Sequence, residues 1–385
     1  MWVQFLHGTP KKVKGRLYLP FLLPKIGELP SIPRHILVER KGGMEAHTMP
    51  NRITNLVFEG GGILGIAYLG VLDYLNKNNL LKNIKRIAGA SAGAITACLT
   101  SFNLPFEELK ALADTLEYKK VPEKGNDDLL RFIPEEIKKT IEGLFGDINC
   151  LYRLLKRYGW YSSEFFYNWI RDAINDQFDA SKKKPPYTFA DFRNPSIHKQ
   201  ERTFSDLFII GTNISTGTTR VFSFETTPLV EVARAVRISM SIPLYFESIE
   251  QIEPDSPGFG QNSYFSDGGV MDNYPINIFD TSLYGQELYR GVNRNTLGAC
   301  FVSDIKFKKI NNLVEFAEAL VHTLLRVQED AFHRNPLDKA RSIMINTGEI
   351  SATNFDVSLN DSTYQFLYNQ GYEAAKDYFQ KSKGL

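Results

Sequence analysis

Gly89-Ala90-Ser91-Ala92-Gly93 follows a strand-like run and opens a pattern typical of a helix. This G-x-S-x-G sequence is typical of a nucleophile elbow, a turn so sharp that the serine hydroxyl projects away from its neighbours. The two outer glycines let the strand end and the helix start pass close together. Because the helix begins at the serine, its positive end faces any negative charge that develops there. The serine is therefore the candidate nucleophile.

A second Gly-rich turn, containing Gly60, Gly61, Gly62 and Gly65, lies about thirty residues upstream and also joins a strand pattern to a helix pattern. A phosphate-binding P-loop would end in Gly-Lys-Ser/Thr, and this turn has no lysine. A dinucleotide-binding turn would require an acidic residue about twenty positions later, and residues 80–88 contain none. The remaining interpretation is a set of backbone N–H groups able to bind an oxyanion. Together the two turns predict hydrolysis.

A serine nucleophile needs a base, and two classes of residue compete for that role. In an α/β-hydrolase the histidine follows the serine and the acid, which leaves His322 and His333. Both lie within one helix pattern and not at a strand end, which is typical of helix-surface or core residues. Asp267 closes a strand pattern and precedes Gly268 and Gly269. Such a carboxylate can take the serine proton directly, although an ordinary Asp-Gly turn has the same sequence.

Composition narrows the class of protein. The 385 residues include 45 basic and 44 acidic ones, giving a net charge of +1, so we expect no nucleic-acid partner. Cys98, Cys150 and Cys300 form no C-x-x-C pattern, which predicts a reducing compartment and no cysteine metal site. We also expect no metal and no cofactor. No convincing signal peptide is present, and the apolar run 84–99 is too short to span a bilayer.

The order of the patterns predicts the architecture. Residues 1–50 read as an extended N-terminal arm, and residues 51–385 as one domain. In that domain strands and helices alternate, which predicts an α/β fold with a largely parallel central sheet between two helix layers. A helical insertion at about 104–178 separates the nucleophile helix from the later strands, and such insertions often form a lid or a groove wall.

The three motifs together resemble the patatin-like phospholipase family. That family shows G-G-G-x-x-G, G-x-S-x-G and D-G-G or D-G-A in this order. The flanking sequences at 233–246 and 267–275 also resemble family blocks, and the similarity spans about residues 53–380. The resemblance implies a three-layer α/β/α fold.

The resemblance also implies roles for individual residues. Ser91 would be the nucleophile and Asp267 the base, in a dyad without histidine or metal. Backbone N–H groups of the glycine loop, most of all Gly61 and Gly62, would bind the oxyanion. The family often has a basic residue where this chain has Leu64, and smaller residues around Met240-Ser241. These departures concern rate and substrate preference.

The resulting hypothesis is a lipid acyl hydrolase of the phospholipase A type. Its substrate would be a phospholipid or another acyl lipid at a membrane surface. The expected location is the cytoplasm with peripheral membrane contact, while secretion as an effector and a requirement for an activator are both compatible with the sequence. Alternatives are an esterase, thioesterase or acyltransferase on other acyl groups, and a non-catalytic lipid sensor. Four aromatic residues of the insertion could line an acyl groove or form a helix core: Trp160, Tyr161, Phe165 and Phe166.

Overall fold

The computed structural model describes residues 52–124, 139, 147–252, 262–285, 288–302, 309–311 and 313–381. All of them belong to one compact unit, Ala46–Leu385. The expected N-terminal arm lies outside the described residues, as do residues 125–138 and 140–146 of the expected helical insertion.

The described residues form an eight-stranded central sheet in the order β10-β9-β1-β2-β4-β8-β7, with β5 paired to β4. Strands β10, β9, β1, β2 and β4 are parallel, whereas β5, β8 and β7 run antiparallel to their neighbours. A separate parallel pair joins β3 to β6. The strands are β1 Asn55–Phe58, β2 Arg86–Ala90, β3 Gly159–Tyr161, β4 Asp206–Asn213, β5 Thr218–Phe222, β6 Leu244–Phe246, β7 Ile249–Ile252, β8 Asn262–Asp267, β9 Thr296–Val302 and β10 Ser342–Asn346.

Helices cover both faces of this sheet. They are α1 Ile66–Lys77, α2 Ala92–Ser101, α3 Phe106–Ala113, α4 Ile148–Arg157, α5 Glu164–Asn175, α6 Phe189–Phe192, α7 Val232–Ser239, α8 Gly269–Asp272, α9 Leu313–Arg334, α10 Pro336–Ala340 and α11 Ser362–Lys381.

Alternation along the central strands divides the core into two layers. Leu56 and Phe58 of β1 belong to the large cluster beneath α1, α2 and α11, while Val57 between them belongs to a smaller cluster on the other face. Near-continuous burial of β1, β2 and β4 is typical of parallel strands covered on both sides. The predicted three-layer α/β/α architecture with a largely parallel sheet is confirmed.

Three strands were not predicted from the sequence. Strand β3 lies within the expected helical insertion, and β6 and β7 follow α7. Strands β3 and β6 have three residues each and pair across more than eighty positions of sequence. Runs this short carry too little period-2 pattern to be recognised without their partner.

The glycine loop is held in place by the packing of α1, which follows it, against α11. The two helices meet at Gly70 and Gly371, each of which faces the backbone of the other helix. A Cβ on Gly70 would overlap the carbonyl of Tyr368, and one on Gly371 would overlap the carbonyl of Ala67. The helices therefore touch backbone to backbone, and a side chain at either position would move α1.

We expect Gly371→Ala to destabilise the protein by about 2 kcal/mol or more, because the new methyl group meets backbone that cannot move alone. Helix propensity alone predicts the opposite, a gain of about 1 kcal/mol. Asn369→Ala, at an exposed position of the same helix, is the matched control and should change stability by roughly 0.5 kcal/mol or less. Urea unfolding measures the free energy of unfolding of both variants, and a stabilised Gly371→Ala would contradict the close helix contact.

Candidate active site

One edge of β4 brings the serine elbow and the Asp267 turn together. Strand β2 pairs with the first half of β4, ending at Ala90 opposite Ile210, and β8 pairs with the second half, where Asp267 lies opposite Gly211. Strand β5 pairs with β4 through both halves and so occupies the other edge. Strands β2 and β8 are therefore placed end to end on a shared edge. Ser91, the next residue after β2, meets Asp267 at this junction.

Ser91 has the backbone conformation of a strained elbow. Its φ of 51° and ψ of −122° lie outside the regions that L-residues prefer. Its N–H donates to Oγ of Ser239 at 2.9 Å, and that hydroxyl donates to the carbonyl of Ile210 at 2.5 Å. A Cβ on Gly89 would overlap the backbone of Gly93, and one on Gly93 would overlap β1. Both predicted elbow glycines are thus required by close backbone approach.

The turn Ser239–Ser241, at the end of α7, also binds the backbone of the Asp267 turn. The carbonyl of Ser239 accepts from the N–H of Gly268 at 3.3 Å, and the carbonyl of Ser241 accepts from the N–H of Asp267 at 2.9 Å. One turn therefore fixes the backbone of both the elbow and the base turn. Ser239 was not predicted as a site residue, because nothing in its local sequence pattern reveals this contact.

Asp267 is a buried carboxyl, 4% exposed. The N–H of Gly269 donates to its Oδ1 at 2.7 Å, while its Oδ2 has no hydrogen-bond partner within the described part of the chain. Burial raises the pKa of Asp267 to about 7, against the opposing influence of the Ser91 hydroxyl and the Gly269 N–H. The Ser91 hydroxyl is close enough to stabilise the carboxylate, although the pair does not have the geometry of a full hydrogen bond.

The glycine loop presents unused N–H groups beside this pair. The N–H of Gly60 donates to the carbonyl of Asn273 at 3.0 Å, whereas those of Gly61 and Gly62 have no partner among the described residues. Gly62 has a φ of +55°, and a Cβ there would overlap the carbonyl of Ala352. Of the four predicted loop residues, the second and third glycines are therefore the ones able to donate to a ligand.

Gly65 has a different role from the donors. It ends the 3₁₀ helix Gly62–Gly65, and a Cβ on it would lie 2.9 Å from that of Ala92. Its missing side chain lets the glycine loop lie against the start of α2.

Asn273 ties the glycine loop to the base turn. Its Nδ2 donates to Oε1 of Glu59 at 3.1 Å and to the carbonyl of Gly60 at 3.2 Å. Its N–H donates to Oε1 of Gln328 on α9 at 2.7 Å. Oε2 of Glu59 accepts from the N–H of Phe301 at 2.7 Å, and burial raises the pKa of Glu59 to about 8. Asn273 lies within the block 267–275 that resembles the family, but no local pattern in the sequence indicates this linking role.

A cavity opens above Ser91 and Asp267. Helix α9 forms one wall and contributes His322, which the sequence patterns placed on a helix surface or in the core. His333 lines a separate cavity behind the glycine loop. Besides the two candidate catalytic residues and the histidine, the first cavity is lined by Gly60, Gly61, Gly62, Ile242, Pro243, Gly269, Val270, Asn273, Val321, Leu325, Ala352 and Thr353.

A second, largely apolar pocket lies on the other side of Gly62. Helices α1, α2 and α3 supply most of its wall, and Trp169 of α5 closes it. The aromatic groove that the insertion suggested is absent from this lining, and Phe166 is fully buried in the core. The apolar side chains that line this second pocket are Ile63, Ile66, Leu69, Leu72, Ala92, Ile95, Leu99, Leu109, Ala113, Leu116, Tyr118 and Trp169.

Among the described residues, no group of three His, Cys, Asp or Glu side chains is arranged to hold a metal ion. No described helix is long and apolar enough to cross a membrane.

Comparison with known proteins places these motifs in a family. The uncharacterized protein YqhO of Bacillus subtilis is 27% identical over 308 residues, covering 78% of this chain and 90% of YqhO. The probable lipid hydrolase 463L of Invertebrate iridescent virus 6 is 26% identical, covering 60% of this chain and 64% of that protein. A crystal structure of VipD from Legionella pneumophila matches with a TM-score of 0.49 at 18% identity, covering 87% of this chain and 68% of VipD.

A family model described as patatin-like phospholipase matches residues 56–280, more than half of the chain. That range contains the glycine loop, the serine elbow and the base turn. The chain therefore belongs to the patatin-like phospholipase family.

Proposed function

We propose that this protein is a lipid acyl hydrolase of the phospholipase A type that works through a Ser91–Asp267 dyad. The observation that carries the proposal is the shared edge of β4, which places a strained serine beside a buried carboxyl with an unbonded Oδ2. The pattern matches what nucleophilic catalysis requires, a hydroxyl next to a group that can take its proton. A relative whose name describes a probable lipid hydrolase supports the same class of reaction.

The reaction begins when Oγ of Ser91 attacks the ester carbonyl and its proton passes to Asp267. The N–H groups of Gly61 and Gly62 donate to the oxyanion that forms. Asp267 then returns the proton to the leaving alcohol oxygen, which leaves an acyl-enzyme. Water gives a proton to the same carboxylate, attacks the acyl group and releases the fatty acid with restored Ser91.

The surroundings of the dyad favour a lipid over a small polar ester. Ile242, Pro243, Val321 and Leu325 line the cavity, and a second apolar pocket lies on the other side of Gly62. Apolar walls with a few convergent polar groups are what a lipid site requires. The three described cysteines are free and buried, which fits a reducing compartment, and we place the reaction at a membrane facing the cytoplasm.

Substitution of the dyad tests the proposal directly. We expect Ser91→Ala and Asp267→Asn each to lower fatty-acid release from mixed phospholipid vesicles by about a thousandfold or more, because each removes a reacting group. His322→Asn should retain activity within about threefold, since the histidine on the cavity wall transfers no proton in this scheme. His333→Asn, a matched substitution on the same helix, controls for damage to α9. Circular dichroism verifies that every variant folds.

Two results would contradict this scheme. A fully active Asp267→Asn together with an inactive His322→Asn would transfer the role of base to the histidine. If wild type cleaved thioesters or short esters but no phospholipid, the reaction would stand and the substrate class would be wrong.

The pKa of Asp267 predicts the pH dependence of the reaction. The base must be ionised to accept the serine proton, so kcat/KM on a soluble ester should rise with pH and level off above about 7. Below that value the rate should fall about tenfold per pH unit. A pH–rate profile between about pH 5 and 9 measures this, and a flat profile would exclude a carboxyl base titrating in this range.

The same burial predicts a gain in stability on removing the charge. The pKa of Asp267 is about 7 in the folded protein against 3.8 for an exposed carboxyl, so the folded state keeps the proton that the unfolded chain has lost. This contribution lowers stability as pH rises from about 4 to about 7. Asp267→Asn should therefore raise the free energy of unfolding at pH 8 by up to about 4 kcal/mol, and by far less at pH 5. Urea titrations at both pH values check the difference, and equal effects at both would contradict it.

A further inference from the structure

Helix α9 exposes a row of large apolar side chains. Phe316, Leu320, Leu324 and Val327 are between 43% and 67% exposed. Their spacing of four, four and three residues places them on one face of the helix, which we call the outer stripe. Most helices of a globular domain are polar on the solvent side, so this face requires an explanation.

The adjacent face of α9 already has its partner. Val321 and Leu325 line the cavity above Ser91, and Gln328 binds the base turn through the carbonyl of Gly269 at 2.8 Å. Over these three turns the apolar surface of α9 is thus wider than the part that packs against the described residues of the protein. A helix with so wide an apolar arc is stable where the whole arc leaves water.

We propose that the outer stripe docks on a lipid bilayer and that this contact brings the active-site cavity to the membrane surface. The inference rests on the proposed function and names the surface through which it operates. The outer stripe adjoins the cavity, because its residues alternate along α9 with those of the cavity wall. This position favours a lipid bilayer as the partner of the stripe. A bilayer that buries the stripe necessarily lies at the edge of the opening above Ser91.

A neighbouring strand extends the apolar surface around that opening. Strand β6 packs against α9, and its Leu244 is 39% exposed. Ile242 and Pro243, just before it, line the cavity. Exposed apolar side chains therefore flank the cavity on two elements, as expected of a surface that meets lipid and then passes it inward.

The charge pattern predicts the type of membrane contact. The outer stripe contains no lysine or arginine, and Arg326, beside it, is paired with Glu329 at 2.7 Å. Docking should therefore depend on apolar burial and not on anionic lipid. Since α9 is not long and apolar enough to cross a membrane, the stripe would lie in the interface plane, buried roughly 5–10 Å into the boundary between headgroups and acyl chains.

The test measures binding without turnover. The full chain carrying Ser91→Ala is sedimented with phosphatidylcholine vesicles, alone and combined with Leu320→Gln and Val327→Gln. We expect the double substitution in the stripe to weaken vesicle binding about a hundredfold, tenfold for each apolar side chain removed. Added phosphatidylglycerol or high salt should change the binding of the parent chain less than threefold.

A matched pair of substitutions controls for general loss of apolar surface. Leu229 and Leu283 are 84% and 72% exposed on other segments of the described chain. Changing both to glutamine should leave vesicle binding within twofold of the parent. Binding that survives in the stripe variant, or falls equally in the control, would overturn the inference. So would a stripe variant that turns a dimer into a monomer in light scattering while vesicle binding persists, since the stripe would then cover a second copy.

Failure of the inference and failure of the proposed function give different results. If the stripe governs vesicle binding but the chain with intact Ser91 cleaves no lipid, the docking surface stands and the hydrolase proposal fails. If the stripe variant with intact Ser91 cleaves vesicle phospholipid at the parent rate, the hydrolase stands and the docking surface fails. Cleavage of a soluble short-chain ester by the stripe variant should equal that of the parent, because the stripe touches no reacting group.

Discussion

The candidate site depends on one constraint: a single edge of β4 pairs with two different strands, one after the other along its length. The first half of β4 accepts β2 in parallel, and the second half accepts β8 in antiparallel orientation. The ends of two strands that are far apart in sequence are thereby placed at adjacent positions by backbone hydrogen bonds. The side chains of Ser91 and Asp267 then meet without any direct bond having to hold them, because sheet register and the Ser239–Ser241 turn fix both backbones.

Burial of two carboxyls gives this junction its electrostatic character. Asp267 lies beside the serine, and Glu59 lies beneath the glycine loop, linked to it through Asn273. Desolvation raises the pKa of Asp267 to about 7 and that of Glu59 to about 8. At neutral pH the raised pKa favours the protonated form of Glu59, which opposes the field of the nearby N–H groups of Gly61 and Gly62 less than a carboxylate would. At the same pH Asp267 is present both as the carboxylate, which can accept a proton, and as the protonated acid.

The sequence was informative where local geometry alone demands particular residues. An elbow, a glycine loop and a base turn each require glycines at fixed positions, and close approach explains Gly89, Gly93 and Gly62 in physical terms. Residues whose importance arises from distant contacts carry no such signal. Ser239 matters because β2 ends opposite Ile210, and Gln328 matters because α9 crosses the base turn. The roles of the matching residues in catalysis stay predictions.

Helix α9 separates two properties that are often joined in an active site. The reacting groups are positioned by the sheet, whereas the cavity wall is a helix whose described polar contacts with the site run through Gln328 to Gly269, Val270 and Asn273. Such a wall can shift relative to the sheet without altering the register that brings Ser91 to Asp267. Substrate access is then set mainly by α9 and the meeting of Ser91 with Asp267 by the sheet, with Gln328 as a described link between the two. The position of the outer stripe on this helix, and not on the elements that carry the dyad, follows from that division.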